Sequence, residues 1–560
     1  NYKNVVLTTI TNEENDQSGT IAPEGNYIAY TLSENGKRSL WTKNQVTGER
    51  VQIVSPQDAY SMNVTAFSAN GFIYYTVNDE ANPQGALFQV SFKGGTSQRV
   101  LAGVTKTVAL SQDGKQIAFV RQDGTKDELL IANADTSNER VLLSVNEPNW
   151  LGNAAPAWSP DESIIAVAYG SEDRNEVTGR NLGMTPLLVS VVDGKFKPLS
   201  RSRWMHIGQL SWFNDGSGLM FVAQQLTLNP AELWQISYPK GDSQEITNDL
   251  SSYDGFSLTK TQDDSRVVLV RSEGVSNIWV ATLGQPGSEK ALTYGKNLLE
   301  GSRGLAWTSD GRIVFDANVN GKAGLWSISA EGGDTKALIN NETDDLSPET
   351  SRDGRHLVFG SYRTGRIHVW RATLEGTQQQ KLTSESTGVA SFSLSPDGRW
   401  LLYAPFTGGI RKVSVDGGSP MDLVDKGKLS YPQVSPDGKF VAYFFNDERS
   451  MRPKIGIVEF EKGAPVKTID LPVTAQPDAA GFDFYRGWHW TPDGTAIVYL
   501  NTLGGISNLW SQPIEGGTAK QITDFKSDHI LNFTFSPDGR QIAFARTSHS
   551  SNAVVISAGN

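Results

Sequence analysis

The sequence contains no cysteine. That absence excludes disulfide bonds, thiolate catalysis and metal centres held by cysteine, and it is a composition that proteins outside the cytoplasm can adopt. Long apolar runs are missing too, since none approaches the roughly 18 residues that a membrane-spanning helix needs. We therefore expect no direct membrane insertion by this chain. It starts at Asn1 without methionine, so we expect a processed or excised piece, whose parent protein could be membrane-anchored.

Basic residues are outnumbered by acidic ones. The chain has 50 Lys and Arg against 61 Asp and Glu, which gives a formal net charge of −11. Nucleic acids and anionic membrane surfaces both require a basic face on the protein that binds them. The composition therefore predicts no nucleic-acid partner.

Linear motifs for catalysis, cofactors and metals are also absent. The six histidines form neither a His-x-x-x-His nor a His-Glu-x-x-His pair, so no zinc site is predicted. There is no Gly-x-Ser-x-Gly elbow, calcium loop, Walker loop or dinucleotide fingerprint. The sequence thus predicts no cofactor and no enzyme. A lyase or glycosidase whose carboxylates converge in a funnel is the alternative that needs no linear motif.

What the chain does contain is one repeated turn, Ser/Thr-Pro-Asp-Gly, followed by a short apolar strand. The clearest copies are Ser395-Pro396-Asp397-Gly398, Ser435-Pro436-Asp437-Gly438, Thr491-Pro492-Asp493-Gly494 and Ser536-Pro537-Asp538-Gly539. Weaker copies begin at Ala22, Ser68, Ser111, Ser159, Phe213, Thr261, Thr308 and Ser351. A period of roughly 45 residues with several strands per unit is typical of a β-propeller.

Each residue type of this turn has a conformational role. Proline presets φ at the first turn position, aspartate bonds the local backbone, and glycine accepts a positive φ. The aspartates are therefore predicted to form turns rather than to act as catalytic carboxylates.

The third and fourth strands of each unit also have recognisable sequence patterns, which we call their marks. The third strand carries an aliphatic residue followed by an aromatic one, as in Leu40-Trp41, Leu233-Trp234, Ile278-Trp279, Val369-Trp370 and Leu509-Trp510. A Gly-Gly hairpin often follows, and the fourth strand ends in an aliphatic residue and threonine, as at 244–247 and 520–523. We predict an all-β fold of four-stranded antiparallel blades, with the tryptophans packed between blades.

Twelve such blades exceed the usual range of about four to eight for one ring. Two six-bladed propellers are the simplest division, and rings of five and seven blades are the alternative. We predict a first ring over residues 12–299 and a second over 300–560. The N-terminal segment 4–11 reads as a stray fourth strand that would complete the twelfth blade, which otherwise stops after three strands.

One side of such rings carries the loops that join second to third strands and fourth strands to the next blade. Aromatic and charged residues near these loops are candidates for ligand binding, because aromatic and arginine side chains commonly anchor partners. They are Tyr60, Trp150, Trp204, His206, Tyr253, Tyr485, Arg486 and Trp488.

The turn-and-strand pattern resembles the TolB-like propeller repeats over nearly all twelve units. Residues 86–90, 94–96, 130–135, 507–513 and 520–528 are moreover similar to the C-terminal propeller halves of bacterial transmembrane Ser/Thr protein kinases, notably those of acidobacteria. Related halves follow winged-helix regulators. The kinase motifs themselves are absent, so no kinase residue is carried over.

The resemblance implies a non-catalytic sensor outside the cytoplasm, periplasmic or at the cell surface, that recognises a protein, peptide or glycan. It would be the sensing half of a kinase. A free-standing periplasmic or secreted scaffold of the TolB kind is the alternative.

Overall fold

The structure is a computed structural model of the 560-residue chain. It describes residues 5–10, 16–34, 37–59, 61–68, 70–82, 85–104, 107–123, 126–146, 149–152, 154–171, 183–225, 230–247, 251–253, 258–261, 263–264, 266–295, 299–319, 322–341, 343–425, 427, 429–447, 452–472, 475, 487–503 and 506–558. Within these ranges the regular structure is almost entirely strand, and no helix is long and apolar enough to cross a membrane.

The strands form twelve four-stranded blades arranged as two six-bladed propellers, as the repeat predicts. Blades 1 to 5 each fold from one continuous segment. Their strands are Asp16–Ile21, Tyr27–Glu34, Lys37–Asn44 and Arg50–Asp58; Ser61–Phe67, Phe72–Asn78, Ala86–Ser91 and Gln98–Ala102; Ala109–Leu110, Gln116–Asp123, Lys126–Asn133 and Arg140–Asn146; Trp150–Leu151 with Ala157–Trp158, then Ile164–Ser171, Gly183–Ser190 and Phe196–Pro198; and His206–Trp212, Gly218–Gln224, Glu232–Ser237 and Ser243–Glu245.

Blades 7 to 11 repeat this plan in the second ring. Their strands are Leu305–Trp307, Arg312–Val319, Lys322–Ser329 and Lys336–Ile339; Asp345–Thr350, Leu357–Ser361, His368–Ala372 and Gln380–Lys381; Val389–Leu394, Trp400–Pro405, Ile410–Ser414 and Met421–Val424; Ser430–Val434, Phe440–Asn446, Pro453–Glu459 and Pro465–Asp470; and Trp488–Trp490, Ala496–Leu503, Ile506–Pro513 and Lys520–Gln521.

The sixth blade of each ring is built differently, because two long strands contribute to both. Arg266–Thr282 begins as the second strand of blade 6 and ends as the third strand of blade 12. Gln541–Ala558 begins as the second strand of blade 12 and ends as the third strand of blade 6. Each ring therefore closes with a strand that the other ring's sequence supplies.

The remaining strands of these two blades are short. Blade 6 starts with Ser252–Tyr253 and Thr259–Lys260, and Val5–Thr9 is its fourth strand, in register from Val5 opposite Ala558 to Thr9 opposite Val554. Blade 12 starts with His529–Phe535 and ends with Lys290–Ala291.

The compact units consequently differ from the division expected from repeat spacing. They comprise residues 1–273 with 550–560, and residues 274–549. The N-terminal strand does pair with the last strand of the chain, but the blade it completes belongs to the first ring rather than the second. The reason is that each long strand continues straight at the point where the second strand of another blade ends in a hairpin. The two halves of each long strand therefore belong to different blades.

Apolar side chains from both halves of the exchange fill the core of each ring. In the first ring, Val267 and Leu269 pack with Val554 and Ile556, all at most 1% exposed. In the second ring, Ile278 and Val280 from the end of one long strand pack with Ala543 and Ala545 from the start of the other, beside the first strand of blade 7. These contacts bury the apolar face of the closing blade in the ring that it completes.

The repeated turns have the geometry that their residues predict. At 395–398, the Ser395 hydroxyl donates to Asp397 Oδ1 at 2.5 Å and accepts the Trp400 N–H at 2.9 Å. The same Asp397 oxygen accepts the Arg399 N–H, and Gly398 has φ of 67°. The serine thus ties both ends of the hairpin together, and the aspartate serves as a turn residue.

Replacing Ser395 by alanine is expected to lower the free energy of unfolding by about 1–2 kcal/mol, because two local hydrogen bonds are lost at a residue that is 3% exposed. Urea titration would measure this change. Ser395→Thr, which matches the residue at 308 and 491, should retain most of the stability. An alanine variant as stable as the parent would contradict this role for the hydroxyl.

The threonines that end several fourth strands have a related role. Thr247, Thr383 and Thr523 each accept the backbone N–H of the third-strand residue at the aliphatic–aromatic mark, at 2.8–3.0 Å. This bond continues the strand pairing beyond the last regular residue of the fourth strand. The aliphatic–threonine mark is therefore explained by blade geometry.

Candidate binding face

The predicted binding residues lie where loops enter the inner strands of blades. Tyr60, Tyr485 and Arg486 fall outside the described residues. Trp150, His206 and Trp488 are each the first residue of a strand, Trp204 precedes His206 closely, and Tyr253 ends a short strand. We call the side where these segments enter, together with the loops between second and third strands, the loop face of each ring.

Three of the predicted aromatics are interior side chains. Trp204 and Trp488 are each 1% exposed, and Tyr253 is 2% exposed. Trp204 packs edge-on against Phe221 and Trp234, with ring centroids 5.0 and 5.7 Å apart. These side chains fill the space between neighbouring blades and present no surface to a ligand.

Two predicted residues of the first ring reach the surface to different degrees. Trp150 is half-buried and lies over Gly170, where a Cβ would stand 1.9 Å from the indole ring. His206 is exposed and lies opposite Gln224 in the strand register. Of the predicted residues that the structure describes, His206 is therefore the most available to a ligand, and Trp150 is partly available.

In the part of the chain that the structure describes, the large exposed apolar side chains of the loop face belong to the second ring. Among the described residues, the large apolar side chains exposed in these loops are Tyr294 at 78%, Phe406 at 47% and Leu503 at 51%. Tyr294 lies between blades 12 and 7, and the other two lie at the hairpins of blades 9 and 11. Sequence reasoning missed them, although Phe406 and Leu503 each adjoin a Gly-Gly pair in a hairpin.

Ion pairs stacked on aromatic rings fix loops of this face. Arg363 donates to Asp345 at 2.8 Å while its guanidinium lies 4.4 Å from the Trp370 ring centroid. Arg546 pairs with Asp528 and lies 4.9 Å from the Trp279 ring. In both blades an arginine at the end of the second strand thus holds the loop that enters the first strand.

A third arginine lies near Phe406. Arg411 donates to Glu385 at 2.6 Å and to Asp422 at 2.7 Å, and Glu385 also accepts the Tyr403 hydroxyl at 2.7 Å. Burial, and then the hydrogen bond to Glu385, raise the pKa of Tyr403. The Glu385 carboxylate therefore has a fixed position in its loop. Gly388, which follows in the same loop, accepts the Phe406 N–H at 3.4 Å.

Glycine backbone surrounds the Phe406 hairpin. Gly408 and Gly409 have φ of 89° and 78°, and a Cβ at either would come within 2.6 Å of a backbone oxygen. Other residues are therefore excluded from these two positions. The hairpin consequently presents Phe406 and the exposed Thr407 without larger neighbours in its own loop.

A buried acid supports the loop that enters blade 7. Asp316 is 0% exposed, its Oδ1 accepts the Arg303 N–H at 3.0 Å, and its Oδ2 has no hydrogen-bond partner among the described residues. Burial raises the pKa of Asp316 to about 7, although the Arg303 guanidinium opposes the shift. The acid thus serves the fold of the loop and is closed off from the surface.

The pKa of Asp316 gives the stability a defined pH dependence. Because the folded pKa lies above the usual value of 3.8, the folded chain holds a proton that the unfolded chain has released. Stability should therefore fall as pH rises from about 4 to 7, by a few kcal/mol at most. Urea titrations at pH 5 and 8 should show this loss in the parent and a smaller one in Asp316→Asn. Equal losses in both proteins would refute the assignment.

The described residues contain no group of three or more His, Asp or Glu side chains placed to hold a metal ion. The acids described above are engaged in turns, in loop support or in ion pairs with arginine.

Part of the second ring is similar to a known family model. Residues 299–463 match the model of the TolB beta propeller domain. This segment runs from the entry of blade 7 to the third strand of blade 10. The chain thus carries TolB-like propeller repeats. No curated protein matches it.

Several solved structures resemble the chain at low identity. TolB from Acinetobacter baumannii is 14% identical, with 63% of this chain and 79% of that chain covered, at a TM-score of 0.29. The tricorn protease is 12% identical, with 95% and 56% covered, at 0.33. The oligogalacturonate lyase from Vibrio parahaemolyticus is 14% identical, with 66% and 93% covered, at 0.34. Likenesses this weak assign none of their activities to this chain.

Proposed function

We propose that this chain is a non-catalytic binding module that recognises its ligand on the loop face of the second ring and acts outside the cytoplasm. The observation that carries the proposal is the placement of Tyr294, Phe406 and Leu503. These side chains are exposed on loops that otherwise bury their aromatics. Exposed aromatic and apolar side chains on preorganised loops are typical of recognition surfaces.

The loops of this face are suited to recognition because they are held before a ligand arrives. The pairs Arg363–Asp345 and Arg411–Glu385 connect strands of a blade to the loop that enters its first strand. A rigid loop loses little conformational freedom on binding, so more of the contact energy contributes to affinity. The sensing half of a transmembrane Ser/Thr kinase is the specific form of this role that we propose, by resemblance alone.

A capture experiment with matched variants tests the proposal. The loop-face variant combines Tyr294→Ala, Phe406→Ala and Leu503→Ala, and the control combines Val192→Ala, Phe196→Ala and Met421→Ala, which are exposed elsewhere. Immobilised proteins would be exposed to protein and polysaccharide fractions of a bacterial envelope. We expect a partner that the parent and the control retain and the loop-face variant loses. Equal capture by all three proteins would place binding elsewhere.

A further inference from the structure

We propose that the surface around Phe406 binds a neutral sugar of an oligosaccharide. This inference rests on the proposed function and specifies the ligand class for one part of the same face. We call this surface the Phe406 patch: Phe406 and Thr407 of the blade 9 hairpin, Gly388 beside them, and the trio Glu385, Arg411 and Asp422.

The aromatic ring supplies a firm apolar platform. Its backbone N–H bonds Gly388, and the ring carbon Cδ2 would lie 3.6 Å from a Cβ at that glycine. One edge of the Phe406 ring therefore packs against Gly388, which has no side chain, and 47% of Phe406 stays exposed. A single exposed ring of this kind can stack on the C–H face of a pyranose, which is apolar and of similar size.

The charges of the patch disfavour an anionic ligand. Arg411 already bonds both carboxylates, at 2.6 Å to Glu385 and 2.7 Å to Asp422. An anion would have to displace one of these carboxylates from Arg411 and would meet the like charge of both. A neutral hydroxyl can instead add to lone pairs that the existing bonds leave unused.

Hydrogen-bonding capacity remains in the rest of the patch. Arg411 bonds the two carboxylates through Nε and Nη1, and its side chain is 34% exposed. Asp422 is 61% exposed and Thr407 is exposed as well. The patch thus offers both donors and acceptors, which is the requirement for binding sugar hydroxyls.

A protein partner fits these observations less well. The core of a protein interface is a contiguous apolar area from which charged residues are depleted. The surroundings of Phe406 are instead polar: Gly388, Thr407, the ion-paired trio, and Arg366, whose Cβ would also lie 3.6 Å from a Cβ at Gly388. The ring therefore has polar surroundings of the kind that favour a polyhydroxylated ligand.

The test uses neutral oligosaccharides and a control variant at a phenylalanine of similar exposure. The probes are hexasaccharides of β-1,4-glucose, α-1,4-glucose, β-1,4-xylose and β-1,4-N-acetylglucosamine, each titrated to about 10 mM, a range that reveals weak binding. Saturation-transfer NMR would detect binding to the full chain, and calorimetry would give Kd. The variants are Phe406→Ala, Phe406→Trp and Phe196→Ala, the last at a phenylalanine that is 54% exposed on a fourth strand of the first ring, away from the loop face.

We expect at least one probe to bind. Phe406→Ala should raise Kd about tenfold, whereas Phe406→Trp should keep the parent Kd and Phe196→Ala should change it less than about twofold. No binding by any probe, or equal binding by Phe406→Ala, would overturn the inference. If the capture experiment then retains a protein through the loop face, the sugar inference fails and the proposed function stands. If capture is also independent of the loop face, both fail.

Discussion

Replacing Ile556 by aspartate should destabilise the first ring by more than about 4 kcal/mol. Ile556 is 0% exposed and packs with Val267, Leu269 and Tyr253 in the closing blade. The substitution removes apolar contacts and places a carboxylate where no described cation pairs with it. Urea unfolding followed by tryptophan fluorescence would measure the change.

The matched control for this prediction is Val6→Asp. Val6 lies in the adjacent fourth strand, opposite Ser557, and is 53% exposed. A charge at that position stays in water, so the expected change is within about 0.5 kcal/mol. Similar effects of the two substitutions would mean that the last strand of the chain is not part of a buried blade.

Trp204→Ala and Trp488→Ala should each lower the free energy of unfolding by about 3–5 kcal/mol, because each removes a fully buried indole and leaves a cavity. Trp204 contacts Phe221 and Trp234, and Trp488 belongs to the core shared by blades 10 and 11. The loss should appear as a lower urea midpoint for both variants.

Phe406→Ala is the control for these two substitutions. Phe406 is also a large aromatic of the loop face but is 47% exposed, so its removal should cost less than about 1 kcal/mol. If Trp204→Ala or Trp488→Ala left stability unchanged and abolished ligand binding, the tryptophan would be a surface anchor and the burial described above would be wrong.

The blades could be predicted from the sequence because each has a local cause. The turn at 395–398 needs only its own four residues and the next strand to form, and the same holds for its other copies. The aliphatic–aromatic pair at 369–370 likewise marks a strand from its own residues. Local chemistry repeated at a fixed period therefore predicts the blade count, whereas the period alone left rings of six and six or of five and seven blades open.

The exchange of strands could not be predicted in the same way, because a period counts units but does not say which sheet a strand joins. One signal was present. Residues 34–37 and 320–322 read Glu-Asn-Gly-Lys and Asn-Gly-Lys, typical hairpin turns, whereas 546–551 contains neither glycine nor proline. That segment continues as a strand, which carries 550–558 into the other ring.

The candidate site was predicted only as a face. Trp204 and Trp488 stood out in the sequence because tryptophan near a loop suggests an anchor, but these loops pass directly into inner strands, where large side chains fill the space between blades. Phe406 did not stand out, since exposure depends on Gly388 and on the glycines of its hairpin, which only the fold brings together.

Hydrogen exchange on the full chain carrying Ile556→Asp tests the exchanged rings most directly. Strands that neighbour 554–558 should lose amide protection together, because they belong to the same cooperative blade. We predict faster exchange at 266–272 and 5–9, with 541–547 and 279–282 protected as in the parent. Loss of protection at 541–547 with 266–272 unchanged would show that the last strand pairs within its own repeat, and would contradict the exchange.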